Sequence, residues 1–350
     1  MNNRENLVQI LANCKDISRG DEFYIWGAGN TTDLNWDDVE KEKLVPTFLI
    51  DNNKKGKFHN VNIIAPNDVV NSGIILISSA VPQRNQEIID HIKSIDKSLE
   101  YHTIDEVIFG RHSEEILKTY DLLANESSKK TYFEIITARI KGTVFPNIEV
   151  SNDTYFHYPQ FKMRNSNEVF VDCGAFVGDT VEQYLFCREG TFKRIVAVEP
   201  DKRNIELLHR RVERLRGEWC TGDKSIEVVY GAIGEHDGEV CINDSIESLG
   251  TKVSENDSEN KVKLYSIDTL LKNSNVGFIK ADIEGYEMKM LKGAKECITK
   301  NHPLLAICVY HKTSDLYEIP LFICKMNDKY KIDIAHHYYT YTDTVLYAYE

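Results

Sequence analysis

A short apolar run that ends in an acid and then turns through two glycines constrains this chain more than any other feature. Val169–Thr180 predicts a buried strand, a turn at Gly174 and Gly178, and the start of a helix. Such turns commonly hold a pyrophosphate on backbone N–H groups. Here the carboxylates of Asp172 and Asp179 flank the turn and would repel phosphate. The sequence therefore predicts a ligand that carries positive charge.

Further predicted strands also end in polar residues. One strand ends at Glu199, about 20 residues after the glycine turn, where related folds hold ribose hydroxyls. Two later strands lead to Asp282 and to His311. Because the carboxyl ends of parallel strands meet at one edge of a sheet, we expect one crevice to collect Asp172 and these three side chains.

S-adenosylmethionine fits such a crevice because it carries an ammonium and a sulfonium group. We expect it as the cofactor, with the two glycines allowing the backbone to approach it closely. The residues expected to contact it are Asp172, Gly174, Ala175, Gly178, Asp179, Thr180, Glu199, Pro200 and Asp282.

The order of elements predicts the fold class. Five strands alternate with helices and are followed by a hairpin formed by Lys331–Ala335 and Thr344–Tyr349. This is the layout of a class I methyltransferase: an α/β, doubly wound sheet with a C-terminal antiparallel hairpin. We expect this domain over residues 166–350, after a Rossmann-like domain at 1–110 and a helical and irregular connector at 111–165.

Several motifs together resemble the FkbM-type methyltransferase family. They are Asp172–Thr180, Val198–Pro200, Ile279–Glu287 with Leu291–Ala294, and the ending Val345–Tyr347. The stretch 123–139 resembles the helical lead-in of bacterial members with an additional N-terminal domain, so the resemblance covers about residues 120–350. It implies S-adenosylmethionine as cofactor and methylation, usually of an oxygen, often on sugars or small metabolites. The acceptor would then be a sugar, a nucleotide-sugar or a related metabolite of bacterial glycan or natural-product biosynthesis.

A hydroxyl acceptor must lose its proton during methylation, so a base is expected. His311 is the preferred base because an imidazole titrates near neutrality, with Asp282 orienting it or the acceptor. An ordinary strand-end histidine is the alternative for His311. Glu284 and Tyr286 are expected to contact acceptor hydroxyls. Asp282, Glu284 and His311 would also suit Mg²⁺, but no spacing demands a metal, and none is predicted.

The N-terminal part contains a second glycine turn. Phe23–Gly29 predicts a strand that enters a G-x-G turn, and Val45–Asp51 predicts a strand that ends in an acid. Since no carboxylate lies inside this turn, a phosphate is permitted, and we expect Gly27, Gly29 and Asp51 to contact a nucleotide or nucleotide-sugar. This part also looks similar to N-terminal modules of bacterial sugar-modifying enzymes that hold nucleotide-sugars. The alternative is a degenerate domain used for packing or oligomerisation.

Composition restricts the partners. The chain has 42 Lys and Arg against 55 Asp and Glu, a net charge of -13, which disfavours nucleic acid as a substrate. No apolar run approaches the roughly 20 residues of a membrane span, and the start does not resemble a signal peptide. Eight scattered cysteines without a C-x-x-C pair predict a reduced, cytoplasmic protein. A small-molecule or glycan acceptor is expected, and a homo-oligomer is compatible with the sequence.

Two other function classes stay open. One is an NAD-dependent oxidoreductase, which Asp172 argues against, and the other is a non-catalytic nucleotide-sugar-binding scaffold with a vestigial cofactor fold. The aromatic residues of 142–165, including Tyr155, predict either an interdomain core or a wall of the acceptor pocket. The acidic stretch 254–260 predicts a solvated loop, with a lid over the substrate as the alternative.

Overall fold

The chain divides into two compact units. The computed structural model describes residues 2–18, 20–69, 73–96, 99–222, 225–243, 252–254 and 261–350. The first unit comprises Met1–Val150, Tyr310–Leu321 and Ile334–Thr344, and the second comprises Ser151–Val309, Phe322–Asp333 and Val345–Glu350.

The first unit contains a six-stranded sheet. Its strands are β1 Phe23–Trp26, β2 Phe48–Ile50, β3 Gly56–Phe58, β4 Val61–Ile64, β5 Ile74–Ile77 and β6 Glu100–Thr103. They lie in the order β3-β4-β2-β1-β5-β6, and all neighbours are parallel except β3 and β4. The chain winds one way from β1 to β2 and the other way from β5 to β6, so the order reverses beside β1. This sheet confirms the predicted smaller Rossmann-like domain.

Within the described residues up to Val150, the α-helices accompany this sheet. They are α1 Asn3–Ala12, α2 Asn30–Leu34, α3 Trp36–Lys41, α4 Pro82–Ile95, α5 Ile104–Arg111, α6 Ser113–Leu122 and α7 Glu126–Lys141. A capping box starts α1: the Asn2 side chain accepts the N–H of Glu5, whose carboxylate accepts the N–H of Asn2. Helix α7 ends at Gly142, whose left-handed backbone satisfies the last carbonyls.

A seven-stranded sheet, most of whose strands belong to the second unit, is the larger sheet of the chain. Its strands are β7 Val169–Cys173, β8 Arg194–Glu199, β9 Ile226–Tyr230, β14 Val276–Ala281, β15 Leu304–Cys308, β16 Lys331–His336 and β17 Thr344–Tyr349. The intervening strands β10 Ala232–Ile233, β11 Gly238–Asn243, β12 Lys252–Ser254 and β13 Lys261–Tyr265 form a separate small sheet.

The order in the large sheet is β16-β17-β15-β14-β7-β8-β9, and β17 is antiparallel to β15. The strands from β15 to β9 are parallel. This confirms the predicted doubly wound sheet with a C-terminal antiparallel hairpin. Winding reverses between β7 and β14, so their carboxyl ends border the crevice where such folds bind ligands. Of the predicted acidic loop, residues 255–260 lie outside the described residues.

The remaining helices are α8 Asp179–Cys187, α9 Lys202–Glu218, α10 Ile267–Leu270, α11 Glu287–Gly293, α12 Lys295–Asn301 and α13 Asp315–Met326. The apolar face of α9 is buried, and the Asp201 carboxylate caps its first turn by accepting backbone N–H groups. Gly285 has a φ of 90° and lies before α11, and the helical segment that follows is split at Ala294 into α11 and α12. None of the helices in the described ranges combines the length and apolarity that a membrane span requires.

Candidate cofactor-binding site

A pocket of about 230 Å³ opens in the second unit at the carboxyl ends of β7, β8 and β14. Eight residues singled out from the sequence line it: Gly174, Asp179, Thr180, Glu199, Pro200, Asp282, Glu284 and Tyr286. The other lining residues are Tyr155, Phe176, Val198, Asn204, Gly231, Ala232, Ile233, Lys280 and Ile283. Asp172, Ala175, Gly178 and His311 are not in the lining. The pocket thus brings most of the predicted cofactor and acceptor residues together.

Both glycines of the turn have a left-handed backbone and too little room for a Cβ atom. Gly174 has a φ of 76°, and a Cβ there would overlap the carbonyl oxygen of Asp282. Gly178 has a φ of 83°, and a Cβ there would lie 2.7 Å from Cδ1 of Leu208 in α9. A side chain at Gly174 would force the Asp282 backbone to shift, one at Gly178 would displace the tip of Leu208, and both would have to adopt a left-handed backbone.

Glu199, at the end of β8, holds the glycine turn in place. Its carboxylate accepts the N–H of Phe176 at 2.8 Å, the N–H of Asp201 at 2.9 Å and Nδ2 of Asn204 at 3.2 Å. Burial raises the pKa of Glu199 to about 7, although these hydrogen bonds act in the opposite direction. The side chain that was expected to meet a ribose is thus a buried acid that titrates near neutrality.

Asp172 is paired with a lysine that sequence reasoning did not single out. Nζ of Lys280 lies 3.0 Å from Oδ1 of Asp172, and both side chains are almost fully buried. The same ammonium donates to the carbonyl oxygen of Gly174 at 2.7 Å. Burial raises the pKa of Asp172 to about 6, against the opposing effect of Lys280. The direct contact of Asp172 with a cofactor stays a prediction.

Tyr155 connects Lys280 to Asp282. The phenol donates to Oδ2 of Asp282 at 2.8 Å, and the Lys280 ammonium lies 5.0 Å from the centre of the Tyr155 ring. Asp282 is half-buried. A partly exposed carboxylate that is held by the Tyr155 phenol is able to orient a hydroxyl or accept its proton.

The loop after β14 presents Glu284 and Tyr286 to the pocket. Glu284 has a φ of 54°, an uncommon value for a residue with a side chain. A hydrogen bond stabilises the loop, because the buried Glu287 carboxylate accepts the N–H of Ile283 at 2.9 Å. On the other side, the Lys289 ammonium lies 4.4 Å from the centre of the Tyr286 ring. The predicted roles of Glu284 and Tyr286 toward an acceptor remain predictions.

His311 is buried three residues beyond the end of β15, and its segment belongs to the first unit. Its role as a base therefore stays a prediction, as does the prediction that no metal is required.

The predicted N-terminal nucleotide residues also come together. Gly27, Gly29 and Asp51 line a separate cavity of about 420 Å³ within the first unit.

Comparison with known proteins points to one family. Residues 172–330 match the family model of the methyltransferase FkbM domain. The crystal structure of methyltransferase FkbM from Methylobacillus flagellatus KT has the same fold, with a TM-score of 0.57, 19% identity, and coverage of 98% of this chain and 93% of that chain.

More distant structures match about half of this chain. Aeropyrum pernix fibrillarin with bound S-adenosyl-L-methionine matches 53% of this chain and 67% of its own length, at 13% identity and a TM-score of 0.34. An rRNA methylase from Streptococcus thermophilus matches 54% of this chain and 90% of its own length, at 13% identity and a TM-score of 0.33. Curated protein sequences gave no significant match.

Proposed function

Residues 172–330 belong to the FkbM methyltransferase domain family, and from this premise we propose that the chain methylates an oxygen of a small hydroxylated acceptor. The acceptor class is a sugar, a nucleotide-sugar or a related metabolite, and the methyl donor is S-adenosylmethionine. One observation carries the proposal: a glycine turn opens into a pocket lined by the carboxylates of Asp179, Glu199, Asp282 and Glu284. Such a lining favours a cationic ligand.

The pocket offers a complementary group for each part of the methyl donor. Glu199 lies where a carboxylate receives ribose hydroxyls, and Val198, Pro200 and Ile233 supply apolar surface for a base. The glycine turn allows the backbone to approach the amino-acid end closely. When bound, S-adenosylmethionine supplies an electrophilic methyl group on a sulfonium ion.

The protein's own task is to position and deprotonate the acceptor. In an in-line displacement, the acceptor oxygen bonds to the methyl carbon while the carbon–sulfur bond breaks, and the hydroxyl proton must go to a base. Asp282 lines the pocket and has its carboxylate oriented by Tyr155, so we assign it to orient the hydroxyl and to take up its proton. Holding the two reactants aligned contributes up to roughly 7–11 kcal/mol in favourable cases. His311 remains the alternative base.

We also propose a cytoplasmic location and a place in bacterial glycan or natural-product biosynthesis. The eight cysteines are all free thiols, which supports a reducing compartment. The motif resemblance supports the biosynthetic context.

The test is methyl transfer from radiolabelled S-adenosylmethionine to a panel of monosaccharides and nucleotide-sugars. We expect label in at least one acceptor, together with S-adenosylhomocysteine. Asp282→Asn should lower kcat by about a hundredfold, within the range of general-base catalysis, while S-adenosylhomocysteine binding is retained. Asp328→Asn, an exposed change in the same unit, is the matched control. Full activity of Asp282→Asn together with an inactive His311→Gln would transfer the role of base to His311.

A further inference from the structure

The cavity of the first unit lies where the strand order of its sheet reverses. Trp26 ends β1, Asp51 follows β2, and Ser78 follows β5, and all three line the cavity. Parallel α/β sheets bind ligands in the crevice at this reversal. The volume of about 420 Å³ falls in the range of small-molecule sites.

The turn that borders the cavity is held by a dense set of hydrogen bonds. The Asp51 carboxylate accepts the N–H groups of Ala28, Asn53 and Lys54 at 2.9–3.0 Å. Gly27 has a φ of 121°, and a Cβ there would lie 2.7 Å from the carbonyl oxygen of Ser78. Asp51 therefore uses most of its hydrogen-bond acceptor capacity to hold the turn. The groups that contact a ligand are expected among the other residues of the lining.

One of those neighbours is a cation without a counterion. Arg84, on the first turn of α4, lines the cavity, is exposed, and forms no salt bridge with the part of the chain that the structure describes. The other charged or titratable lining groups are Asp51, Glu87 and His91. The ionised Asp51 carboxylate is engaged by three N–H groups of its own turn and loop, and the rings of His91 and Trp26 pack against each other at 5.2 Å between ring centres. Arg84 is thus the available anchor for an anion, because a guanidinium binds phosphate through paired N–H groups.

The rest of the lining suits the other parts of a nucleotide. Trp26 and Ile88 supply apolar surface, while Asn52, Asn53 and Glu87 supply groups that bond hydroxyls. A bare phosphate would use only the guanidinium. We propose that this cavity binds a nucleotide through its phosphate at Arg84, either as a free nucleoside diphosphate or as the carrier part of a nucleotide-sugar. The proposal uses residues of the first unit alone and does not depend on methyl transfer.

The experiment is calorimetric titration of the full chain with UDP, CDP, ADP, GDP and dTDP, with inorganic pyrophosphate as the reference anion. At least one nucleoside diphosphate should bind, and pyrophosphate should bind about tenfold more weakly because it lacks the nucleoside. The nucleotide-sugar of the preferred base is then titrated. Tighter binding of that compound identifies a nucleotide-sugar site, and weaker binding identifies a free nucleotide.

Two variants locate the binding. Arg84→Gln should weaken nucleotide binding by about tenfold or more, the loss of a charged hydrogen bond. Gly29→Val should abolish binding, because Gly29 lines the cavity and a larger side chain there would take up space that the ligand needs. The variant should still fold, since a Cβ at this position meets no other atom within 4 Å and valine tolerates the φ of -104°. Lys93→Gln removes a cation from the same helix outside the cavity and should change nothing.

Melting temperatures are measured to check that all variants fold. Titrations with S-adenosylhomocysteine test the pocket of the second unit separately. The proposal is overturned if none of the five diphosphates binds, or if pyrophosphate binds as tightly as they do. It is also overturned if binding survives both Arg84→Gln and Gly29→Val.

Discussion

The two units contain the same local device, a glycine turn held by the acid that ends the neighbouring strand. In the first unit, Asp51 accepts the N–H of Ala28 at 3.0 Å. In the second, Glu199 accepts the N–H of Phe176 at 2.8 Å. A lysine also donates to a carbonyl of each turn at 2.7 Å: Lys54 to Ala28 and Lys280 to Gly174. The two mainly parallel sheets thus contain the same arrangement of a glycine turn, an acid that accepts one of its N–H groups and a lysine that donates to one of its carbonyls.

The two turns differ in burial and in charge. Although partial burial opposes the effect, backbone N–H groups lower the pKa of Asp51, whereas burial raises that of Glu199 to about 7. Lys54 is exposed, whereas Lys280 is buried against Asp172. The pocket of the second unit is lined by four carboxylates and Lys280, whereas the cavity of the first is lined by two carboxylates, Asp51 and Glu87, and by Arg84. We therefore expect a cationic ligand in the more acidic pocket and propose an anion only beside Arg84.

The largest expected effect comes from adding a methyl group to each turn. Gly174→Ala should weaken S-adenosylhomocysteine binding by about a hundredfold or more, because the new Cβ overlaps the Asp282 carbonyl and the backbone must shift. Gly27→Ala should leave that affinity unchanged and weaken nucleotide binding instead. Calorimetry with both ligands checks this, with Gly217→Ala in open space on α9 as the control. An equal loss of affinity for both ligands in either variant would contradict the separate roles of the two turns.

The two lysines should differ strongly in their effect on stability. Lys280→Met leaves Asp172 buried without its counterion, so the free energy of unfolding should fall by about 3–5 kcal/mol. Lys54→Met, at an exposed position, should cost about 1 kcal/mol or less. Urea unfolding followed by circular dichroism measures both changes. The double variant Asp172→Asn/Lys280→Met should recover much of the loss, and a mild effect of Lys280→Met alone would show that Asp172 is not charged.

The two acids should respond oppositely to pH. Glu199 titrates near 7 when folded and near 4.5 when unfolded, so its contribution to stability falls as pH rises through this window. Asp51 has a lowered pKa, so its contribution is present above its ordinary pKa of 3.8 and is lost on further acidification. Because ionised Glu199 accepts ribose hydroxyls better, S-adenosylhomocysteine affinity should rise about tenfold from pH 6 to 8. Calorimetry at both pH values should show that Glu199→Gln removes this dependence. An equally steep dependence in that variant would assign the titration to another group.

The smallest expected effect concerns the residue that orients Asp282. Tyr155→Phe removes one hydrogen bond, so kcat should fall by about threefold to tenfold while S-adenosylhomocysteine affinity stays constant. Steady-state kinetics of methyl transfer, with the exposed Tyr339→Phe as the control, separates this effect from a general loss. A lower affinity with unchanged kcat would place Tyr155 in cofactor binding instead.

Strand ends and glycines were predictable because their signals are local. Apolar runs that end in Asp172, Glu199 and Asp282 marked the crevice, and Gly174 marked the close approach of backbone segments. Lys280 had a weaker signal. It precedes Asp282 by two residues, so both side chains point to one face of an extended segment. An ionic partner inside an apolar strand is nevertheless recognisable only when the facing strand is known.

Other features depend on tertiary structure. Tyr155 lies in an irregular segment, so no periodicity indicates that its phenol meets Asp282. The start of α11 has no clear local signal, because a glycine between Glu284 and Tyr286 permits a turn as readily as a helix. Arg84 lies two residues after Pro82 in an ordinary amphipathic helix, and only the fold places it in the same cavity as Gly27.

The carboxylate-lined pocket is tested most directly by titration of the full chain with S-adenosylmethionine, S-adenosylhomocysteine and NADH. We expect the first two to bind at one molecule per chain and to compete with each other, and we expect NADH not to bind. Failure of both sulfur ligands to bind, or binding of NADH at the same site, would contradict the assignment of the carboxylate-lined pocket.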